Sequence, residues 1–584
     1  MKFTNLVLLL ALILVTFSLL SAKIVVSDSV SQFRYPRFSS SGFIDWVMEG
    51  KSGKLLESKL DIESLKVRLY SRDQTNRQVG SVNSEHCILK TKDEIAHSNS
   101  SIEVKGSGFN LTGLDWKYDL NSKSITVRKN CSVEFSESIS TIFSTDEINS
   151  STNIESDSLE LRINSSSYAF KFNGNVNLRS GAIILSADVL IIELLNNSNE
   201  LKFSIPSGEL SGIKMIKATG AVNYIGYSQQ ISSESFTLYP QLKRGLFENN
   251  TKINIDSAIL YGDKISIDQS SVNVSAQGDS RAKFSLNETA YSQRSSPTII
   301  QSDSIKFNKN DDFKNYEFNG TVLLQSEFEI IKSDSLIIET ESKVKNSLYT
   351  NEEIITRCKA SGNVLIENNY FQLSGGQLDY FPTKDKIIVK NSVHYLSPLA
   401  KFFTESVVID NNVIIAESIE NQMKVYLPET NELGFQYNDD IADEVYSNDT
   451  QLTVMCHFLR IEKDMENFSC LFKDSVQIDY NSVNLTSGSL TMDWVETNML
   501  EQKYSLIKAV AEDSVEMKQG YYYANSDLLE IIPNENRITL IGNANYKDLN
   551  GSIYGEIIDY DRLLRQTKVR NVENNKRSRI QFNF

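Results

Sequence analysis

A short phrase repeats along this chain and constrains its fold more than any other feature. A small residue, Gly-Asn or Asp-Ser, is followed by Val or a similar residue and then by alternating polar and apolar positions. The clearest copy is Gly362-Asn363-Val364-Leu365-Ile366. Further copies start at Gly174, Gly220, Gly320, Asp474, Asp513 and Gly542. The last two are 29 residues apart, a spacing typical of stacked supersecondary units that share one core. We therefore expect an elongated molecule whose function is distributed along its length.

The residues between these phrases alternate with period two, the pattern of half-buried strands. Ser124-Ile125-Thr126-Val127-Arg128 and Arg537-Ile538-Thr539-Leu540-Ile541 are examples. Turn-forming residues separate the runs, as in Asn534-Glu535-Asn536. The chain has only 8 prolines in 584 residues, and long strand ladders tolerate few prolines. The sequence predicts a nearly all-β protein.

The chain is acidic overall but basic at its C-terminal end. Its net charge of −16 argues against nucleic acid as a partner, because phosphate contacts need Lys and Arg. From residue 562 onward, seven basic residues accompany one acid, Glu573. The basic residues are Arg562, Arg565, Lys568, Arg570, Lys576, Arg577 and Arg579. They form either a solvated tail or an electrostatic contact with an anionic glycolipid or an acidic partner.

Residues 1–22 have the layout of a secretory signal. Lys2 precedes an apolar run from Leu6 to Leu20, and the small residues Ser21-Ala22 follow. As a helix this run reaches roughly 22 Å, less than a bilayer core of about 30 Å. We expect cleavage after Ala22, with an uncleaved membrane anchor as the alternative. In both cases the remaining chain would lie outside the cytoplasm.

The residues that usually carry catalysis or bind metals are sparse. The five cysteines have no Cys-x-x-Cys spacing, which disfavours a zinc site. In an exported protein, Cys87–Cys131 or Cys456–Cys470 could form disulfides, and buried free thiols are the alternative. The four histidines have no metal-ligand spacing, and no nucleophile elbow or phosphate-binding loop occurs. We expect neither enzymatic activity nor a cofactor, although paired carboxylates for glycoside hydrolysis would meet only in three dimensions.

The repeat and the first segment, about residues 24–135, resemble the periplasmic lipopolysaccharide-transport family of the LptC, LptA and OstA-like type. Ala360-Ser361-Gly362-Asn363-Val364 resembles the phrase that opens each unit in that family. Leu373-Ser374-Gly375-Gly376-Gln377-Leu378-Asp379-Tyr380 resembles the phrase that follows it. Phe38, Gly42, Trp46 and Gly50 resemble the opening stretch of the LptC-type module. Family members of the LptA and LptC type are much shorter, so this chain would be a fusion or a multi-unit version.

The resemblance implies a fold, a function and partners. The fold would be all-β, an elongated antiparallel β-jellyroll stack whose strands fold into a V. The groove inside the V would carry the acyl chains of lipopolysaccharide between the inner and outer membranes, without enzymatic activity. The partners would be lipopolysaccharide or a similar glycolipid and other jellyroll transport components, which pair through edge strands. An uncleaved N-terminus would add the membrane as a partner, and nucleic acid is not expected.

The same resemblance divides the chain into four predicted parts. They are a signal peptide or membrane anchor (residues 1–22), an LptC-like module (residues 23–140), degenerate LptA-like repeats (residues 141–350) and further LptA-like repeats with the basic tail (residues 351–584). Three polar breaks are linkers or long hairpin loops, at residues 136–156, 277–304 and 427–450.

One face of the repeat strands is apolar, as a lipid carrier requires. Exposing an acyl chain to water costs about 0.8 kcal/mol per methylene, so a carrier needs a long apolar inner face. The candidate groove residues are Val364, Ile366, Phe371, Leu373, Leu378, Ile387 and Val389. Alternation alone would equally describe side chains that fill a closed core, and the family resemblance favours the groove.

Two other classes of function remain as alternatives. A structural or adhesive β-solenoid on the cell surface would have a filled core and bind no lipid. A polysaccharide-active enzyme on a β-helix would need carboxylates clustered in a surface cleft, and no regular ladder of exposed acids is evident in the sequence.

Overall fold

The computed structural model of the chain describes most of its length as strand. It covers residues 29–582 except residues 39–41, 57, 71–76, 91, 107–108, 120, 123, 136–150, 164–166, 196–212, 227–228, 243, 256–257, 269–272, 285–297, 310–313, 327–328, 345–350, 429–432, 434–451, 465–466, 481, 499–502 and 571–577. Within this part the regular elements are 35 strands and three short 3-10 helices, Pro240–Leu242, Pro382–Lys384 and Pro533–Glu535. The predicted all-β antiparallel fold is confirmed.

The chain divides into two compact units. The first comprises Met1–Phe284 with Asp303–Asp311, and the second comprises Ser285–Ser302 with Asp312–Phe584. The strands of the first unit are β1 (Ser29–Phe38), β2 (Ile44–Leu56), β3 (Lys59–Tyr70), β4 (Gln78–Lys90), β5 (Ile95–Lys105), β6 (Phe109–Asp119), β7 (Ser124–Phe135), β8 (Thr152–Ser156), β9 (Ser158–Ile163), β10 (Ser167–Ser180), β11 (Ile183–Leu195), β12 (Ile213–Gly226), β13 (Gln229–Tyr239), β14 (Arg244–Ile255), β15 (Ala258–Asp268) and β16 (Asn273–Phe284).

Strand β17 (Thr298–Lys309) has residues in both divisions. The strands of the second unit are β18 (Lys314–Gln325), β19 (Glu329–Val344), β20 (Asn351–Asn368), β21 (Gln372–Phe381), β22 (Lys386–Leu396), β23 (Lys401–Asp410), β24 (Val413–Glu417), β25 (Met423–Leu427), β26 (Leu452–Cys456), β27 (Phe458–Asp464), β28 (Asn467–Tyr480), β29 (Val483–Asn498), β30 (Lys503–Gln519), β31 (Tyr522–Ile532), β32 (Arg537–Lys547), β33 (Gly551–Asp561), β34 (Gln566–Arg570) and β35 (Arg579–Phe582).

Alternate long strands bend at mid-length, where two consecutive residues have positive φ. In β20, Gly362 (φ +73°) and Asn363 (φ +46°) interrupt the pairing with β21, which jumps from Ser361 to Val364. Three residue steps in β20, from Ser361 to Val364, lie opposite two steps in β21, from Gln377 to Gly375, so the bend contains one extra residue, as in a β-bulge. Within β20 the alternation stays in phase, and Ala360 and Val364 on either side of the bend are both buried. Equivalent pairs are Gly174-Asn175, Gly220-Ala221, Asn249-Asn250, Asn391-Ser392, Asp474-Ser475, Asp513-Ser514 and Gly542-Asn543. The repeated phrase therefore marks the bend of a strand, whereas the sequence suggested the start of a unit.

The neighbouring strand supplies the other half of each bend. In β19, the Asp334 side chain packs against Gly362, and Asn363 Nδ2 donates a hydrogen bond to Asp334 Oδ2 at 3.0 Å. Ser333 Oγ donates to the carbonyl oxygen of Ser335 at 2.9 Å, which satisfies the buried hydroxyl where the pairing is interrupted. The same Asn-to-Asp contact recurs between Asn175 and Asp157 at 2.9 Å and between Asn543 and Asp527 at 3.0 Å. Gly362-Asn363 of β20 and Ser333-Asp334 of β19 are thus the two sides of one bend.

The two halves of a bent strand face each other across the core. Tyr546 in β32 is paired in register with Ile553, and Tyr560 in β33 is paired with Ile538. Their rings nevertheless stack with centroids 5.4 Å apart. Adjacent strands can bring such distant register positions together only by folding back, so β32 and β33 form a V with two arms.

Short turns close the strand ends. Asn536, with φ +52°, ends the 3-10 helix Pro533–Glu535 and donates its backbone N–H to Pro533 O at 2.9 Å. This confirms the turn expected at Asn534-Glu535-Asn536. The carbonyl oxygen of Asn536 accepts a bond from the Arg562 N–H of the next turn at 2.8 Å, which links successive turns.

The structure also answers several smaller expectations. All five cysteines are buried and unbridged, so the alternative of buried free thiols is the one realised, and neither proposed disulfide forms. Part of two predicted breaks is strand: β8 lies within 136–156, and β16 and β17 reach into 277–304. No helix in the described residues is long and apolar enough to span a membrane. The predicted signal, residues 1–22, lies outside them, and the boundaries at residues 140 and 350 stay predictions.

Candidate functional site

Six of the seven predicted groove residues lie on the buried faces of β20, β21 and β22, and Phe371 lies in the turn before β21. Ile366 is paired with Leu373 on one arm, and Leu378 is paired with Val389 on the other. Of the seven predicted residues, six are at most 9% exposed: Val364, Ile366, Leu373, Leu378, Ile387 and Val389. Phe371 is half-buried, and its ring stacks on the buried Tyr395 with centroids 5.9 Å apart. The interior at this point is apolar and closely filled.

Aromatic side chains cross between the two arms at several points. In the first unit, Phe170 in β10 contacts Phe109 and Phe135 edge-on, at centroid distances of 5.7 Å and 5.5 Å. Neither β6 nor β7 is paired with β10, so these contacts pass through the interior. Such ring pairs stabilise by about 0.5–1.5 kcal/mol beyond the area they bury. They hold the arms together and occupy the space between them.

A small apolar cavity lies inside the first segment of the chain. It has a volume of about 60 Å³ and is lined by thirteen residues of β2 to β7, among them Met48, Ile62, Cys87, Ile102 and Trp116. Its lining is entirely apolar, and cavities of this kind stay dry and accept apolar ligands. The apolar core of the first segment therefore contains a small free space.

The first segment forms its bend with hydroxyl groups in place of the Gly-Asn phrase. The interrupted pairing of β4 and β5 leaves Ser84, Ser98 and Ser100 together. Ser98 Oγ and Ser100 Oγ lie 2.8 Å apart, and Ser84 Oγ donates to the carbonyl oxygen of Ser101 at 2.7 Å. Trp116 Nε1 donates to Ser84 Oγ at 3.1 Å, which ties the cavity wall to the bend.

The histidines occupy ordinary positions in strands and bends. His86 Nε2 lies 2.6 Å from Asp61 Oδ1, with both side chains about 40% exposed. His457 Nδ1 lies 3.1 Å from the carbonyl oxygen of Ser418 at the interruption between β26 and β27. Burial, and then the nearby Lys90, lower the pKa of His97. No group of three or more His, Cys, Asp or Glu side chains in the described ranges could hold a metal ion.

The predicted basic tail is partly built into the fold. Arg562 is only 3% exposed, in the turn that follows β33. Arg570 Nε donates to Asp559 Oδ2 at 2.7 Å. Lys568 in β34 and Arg579 in β35 are exposed, as is Arg565 in the turn before β34. Lys576 and Arg577 lie outside the described residues. The tail is therefore an edge of the fold and not a free segment from Arg562 onward.

Sequence reasoning missed the cross-strand bend and the aromatic contacts between arms. The bend had only a partial signal in the sequence, because a Ser-Asp phrase precedes several of the Gly-Asn phrases. Ser156-Asp157, Ser333-Asp334 and Ser526-Asp527 precede Gly174, Gly362 and Gly542, with the Asp 17, 28 and 15 residues before the Gly, so the spacing is not regular. The Asp carboxylates of these phrases are exposed, and the sequence analysis did not recognise them as a repeated set. In at least three bends these acids accept hydrogen bonds from asparagine, which gives them a structural role. The aromatic contacts had no such signal, since they depend on the folded V.

Three comparisons relate this chain to known proteins. A search of curated proteins finds no match. A solved structure with 15% sequence identity is described as LptH, the LptA homologous periplasmic component of the conserved lipopolysaccharide transport device from Pseudomonas aeruginosa. The match covers 22% of this chain and 94% of that chain, with a TM-score of 0.17. Residues 460–565, from within β27 to the turn after β33, match the family model described as LptA/(LptD N-terminal domain) LPS transport protein.

Proposed function

We propose that this chain is a non-enzymatic component of lipopolysaccharide transport, and that it holds the acyl chains of the glycolipid between the arms of its bent strands. The observation that carries this proposal is the match of residues 460–565 to the lipopolysaccharide-transport family model. That segment consists of bent strands with an apolar inner face. Leu490, Met492 and Trp494 in β29 are each at most 1% exposed.

The energetics of the interior support a lipid ligand. An acyl chain of about a dozen methylenes loses about 10 kcal/mol of hydrophobic free energy when it is moved into water. An apolar face that continues from strand to strand lets the chain slide without that loss. Sliding along this face needs no energy source within the chain itself. A separate transporter would supply the energy for transport.

The filled interior determines how a lipid would enter. Because Val364, Leu373 and Val389 are at most 1% exposed, the lipid must replace contacts between the arms. We infer that the arms separate along the side where the strand ends meet, opposite the bends. The aromatic pairs that cross the interior would then be displaced by the acyl chains.

The location and partners follow from the same proposal. Residues 1–22 would direct export and place the chain in the periplasm, either free or anchored in the inner membrane. The outer edges of the first and last strands would pair with other jellyroll transport proteins by β-augmentation.

The near-complete burial of the interior favours one alternative, a structural or adhesive β-protein with a permanently filled core. This alternative predicts the same fold and the same bends. It differs in predicting that no glycolipid reaches the inner faces of the strands.

A photocrosslinking experiment separates the two functions. Benzoylphenylalanine would replace Phe371, which faces the interior, or Phe403, which is 60% exposed on β23. Both changes replace Phe with a larger aromatic group, so they form a matched pair. After irradiation with lipopolysaccharide, we expect adducts at position 371 and a signal at least tenfold lower at position 403. Mass spectrometry detects the adduct, and circular dichroism checks that both variants are folded. Folded protein without an adduct at position 371, or with equal adducts at both positions, would favour the filled core.

A further inference from the structure

Two turns near the C-terminal end of the second unit expose large apolar side chains. The turn between β32 and β33 exposes Leu549 (68%), and the turn after β33 exposes Leu563 (67%) and Leu564 (61%). Because β33 is folded into two arms, both of its ends lie on the side opposite its bend. The two turns, which we call the docking turns, therefore stand at the open side of this V, one at the end of each arm.

Hydrogen bonds hold the leucines of the docking turns in place. Asp561 Oδ1 accepts bonds from the backbone N–H groups of Leu563 and Leu564, at 3.0 and 2.8 Å. Asp548 Oδ1 fixes the other turn through the N–H groups of the two residues that follow Leu549, at 2.8 and 3.1 Å. Since both turns are already ordered, burying these leucines against a partner immobilises few groups and costs little entropy.

A third apolar side chain lies beside the first docking turn. Tyr521, in the turn between β30 and β31, is 73% exposed. Tyr523 of β31 is paired with Lys547 of β32, so Tyr521 and Leu549 lie at the same end of neighbouring hairpins. Tyrosine is enriched where one end of a side chain contacts apolar groups and the other contacts water, as at the surface of a membrane.

Basic side chains accompany the docking turns. Arg565 lies in the second turn, Lys568 follows it in β34, and Lys547 precedes the first turn, and all three are exposed. Lys547 and Lys568 form no ion pair with any residue that the structure describes. The carboxylates of Asp548 and Asp561 are engaged by backbone N–H groups of the turns themselves. The positive charges are therefore available to an anionic partner.

The charge of the C-terminal end differs from that of the remaining chain. Residues 562–584 have a net charge of +6, and the whole chain has −16, so the other residues carry −22. In the turn next to the second docking turn, the exposed acid Glu535 is paired with Arg537 Nη1 at 2.8 Å. An anionic surface would be attracted to this end and repelled by most of the chain.

The arrangement of these side chains favours a membrane over a protein as the partner. The leucines lie on separate turns at the ends of two arms, and a bilayer can accept separate side chains. A protein partner would need one contiguous complementary face. A second copy of this chain would bring the same positive charge to the contact, which is unfavourable.

We propose that the docking turns bind the surface of a membrane that contains anionic lipid. Their leucines insert between the acyl chains, Tyr521 lies among the headgroups, and the basic side chains contact the lipid phosphates. Docking brings the open side of this V against the bilayer. The inference goes beyond the proposed function and does not depend on it, because no glycolipid has to enter the interior.

A tryptophan placed in a docking turn reports insertion directly. Leu563→Trp is compared with Ile419→Trp, in the loop between β24 and β25, where Ile419 is 84% exposed on the bend side of β23. The vesicles contain phosphatidylcholine and phosphatidylglycerol with brominated acyl chains. We expect them to quench the indole at position 563 by at least half and to leave that at position 419 unchanged. The three native tryptophans are at most 3% exposed and give the same background in both variants.

Co-sedimentation with vesicles measures the contribution of the leucines. Leu563→Ser with Leu564→Ser should weaken binding to phosphatidylglycerol vesicles at least tenfold, because two apolar side chains are no longer buried. The matched control, Phe403→Ser with Ile419→Ser, removes two other exposed apolar side chains of the second unit. We expect the control to bind within twofold of the unmodified protein, and circular dichroism checks that each variant is folded. Equal loss in both variants would overturn the proposal.

Charge substitutions test the choice of lipid. The unmodified protein should prefer phosphatidylglycerol vesicles over pure phosphatidylcholine at least tenfold, and added salt should reduce this preference. Lys547→Glu with Lys568→Glu should abolish it. The control, Lys390→Glu with Lys401→Glu, makes the same change in charge on exposed positions of β22 and β23 and should retain it. Equal binding to both kinds of vesicle would contradict the role of anionic lipid.

The remaining outcomes are also decisive. If an uncleaved N-terminus holds every variant on the vesicles, quenching at position 563 still reports whether the turn inserts, and its absence would overturn the proposal. Self-association in solution that is lost with Leu563→Ser and Leu564→Ser, without quenching at position 563, would assign the turns to an interface between copies. The vesicles contain no lipopolysaccharide, so these results are independent of the crosslinking at position 371.

Discussion

At the scale of single residues, the bend explains why glycine recurs in the repeat. At Gly362, a side chain would adopt a left-handed conformation and its Cβ would lie 2.9 Å from Asp334 Cβ. Asn363 next to it tolerates positive φ, because Asn is one of the residues that adopts this region most easily. The sequence repeat predicted that these positions are special. It could not predict the bend, because the Asp334 contact comes from a strand that lies 28 residues earlier.

The glycine at the bend can be tested against a glycine in a turn. Gly520 also has positive φ, +55°, but an added Cβ would meet no atom within 4 Å. We expect Gly520→Ala to cost about 1–2 kcal/mol from backbone strain alone. Gly362→Ala adds overpacking against Asp334, so we expect a total of about 2–4 kcal/mol. Hydrogen exchange of the backbone amides around each site measures these free energies. Equal costs would show that steric contact at the bend is unimportant.

At the scale of elements, alternation predicted the strands well but left their tertiary role open. The runs Ser124–Arg128 and Arg537–Ile541 both lie in strands, β7 and β32. Alternation shows which face of a strand is buried. The same alternating pattern is expected for one strand with a bend and for two strands joined by a turn. The structure has bent strands such as β20, in which Ala360 and Val364 on either side of the bend both face inward. The contacts between arms, including those of Phe170, therefore escaped the sequence analysis.

These contacts can be measured with a double-mutant cycle on Phe135 and Phe170. Both side chains are at most 6% exposed, and their rings lie 5.5 Å apart. We expect Phe135→Leu and Phe170→Leu to be coupled by about 0.5–1.5 kcal/mol, because each change removes the same ring contact. Hydrogen exchange of the β10 amides gives the free energies. The control cycle pairs Phe170→Leu with Phe247→Leu, which belongs to a different aromatic cluster and should be additive within about 0.5 kcal/mol. Additivity in both cycles would contradict the contact between arms.

At the scale of the whole molecule, the sequence predicted the fold class, and the charge pattern predicted a special C-terminal end. The sequence also predicted that the candidate groove residues form one apolar face that binds lipid, and this role stays a prediction. Whether that face opens to a ligand depends on the free energy of separating the arms. That quantity is a small difference between large packing terms and has no local sequence signal. The same holds for the cysteines, whose state depends on distances between strands.

The cysteines provide a test that covers both units. Cys87 and Cys131 lie in the first unit, and Cys358, Cys456 and Cys470 lie in the second. Burial raises the pKa of Cys87, Cys358 and Cys456 to about 12 and that of Cys131 to about 11. We expect no reaction with a thiol reagent at pH 8 in the folded protein and reaction of all five thiols in denaturant. Either disulfide considered from the sequence would lower the count to three, and both together would lower it to one.

The raised thiol pKa values also determine how stability changes with pH. An unfolded cysteine loses its proton near pH 8.5, whereas the folded thiols retain theirs until about pH 11 to 12. Between these values the unfolded state binds fewer protons than the folded state, so the contribution of the thiols to the free energy of unfolding falls as pH rises. Labelling rates of Cys131 and Cys358 between pH 8 and 10 measure this, since each thiol reacts only when its surroundings open. We expect both labelling rates to rise with pH more steeply than the rate of an exposed thiol would. The Cys358→Ser variant gives the rate of Cys131 alone. A rate equal to that of a free thiol at pH 8 would contradict their burial.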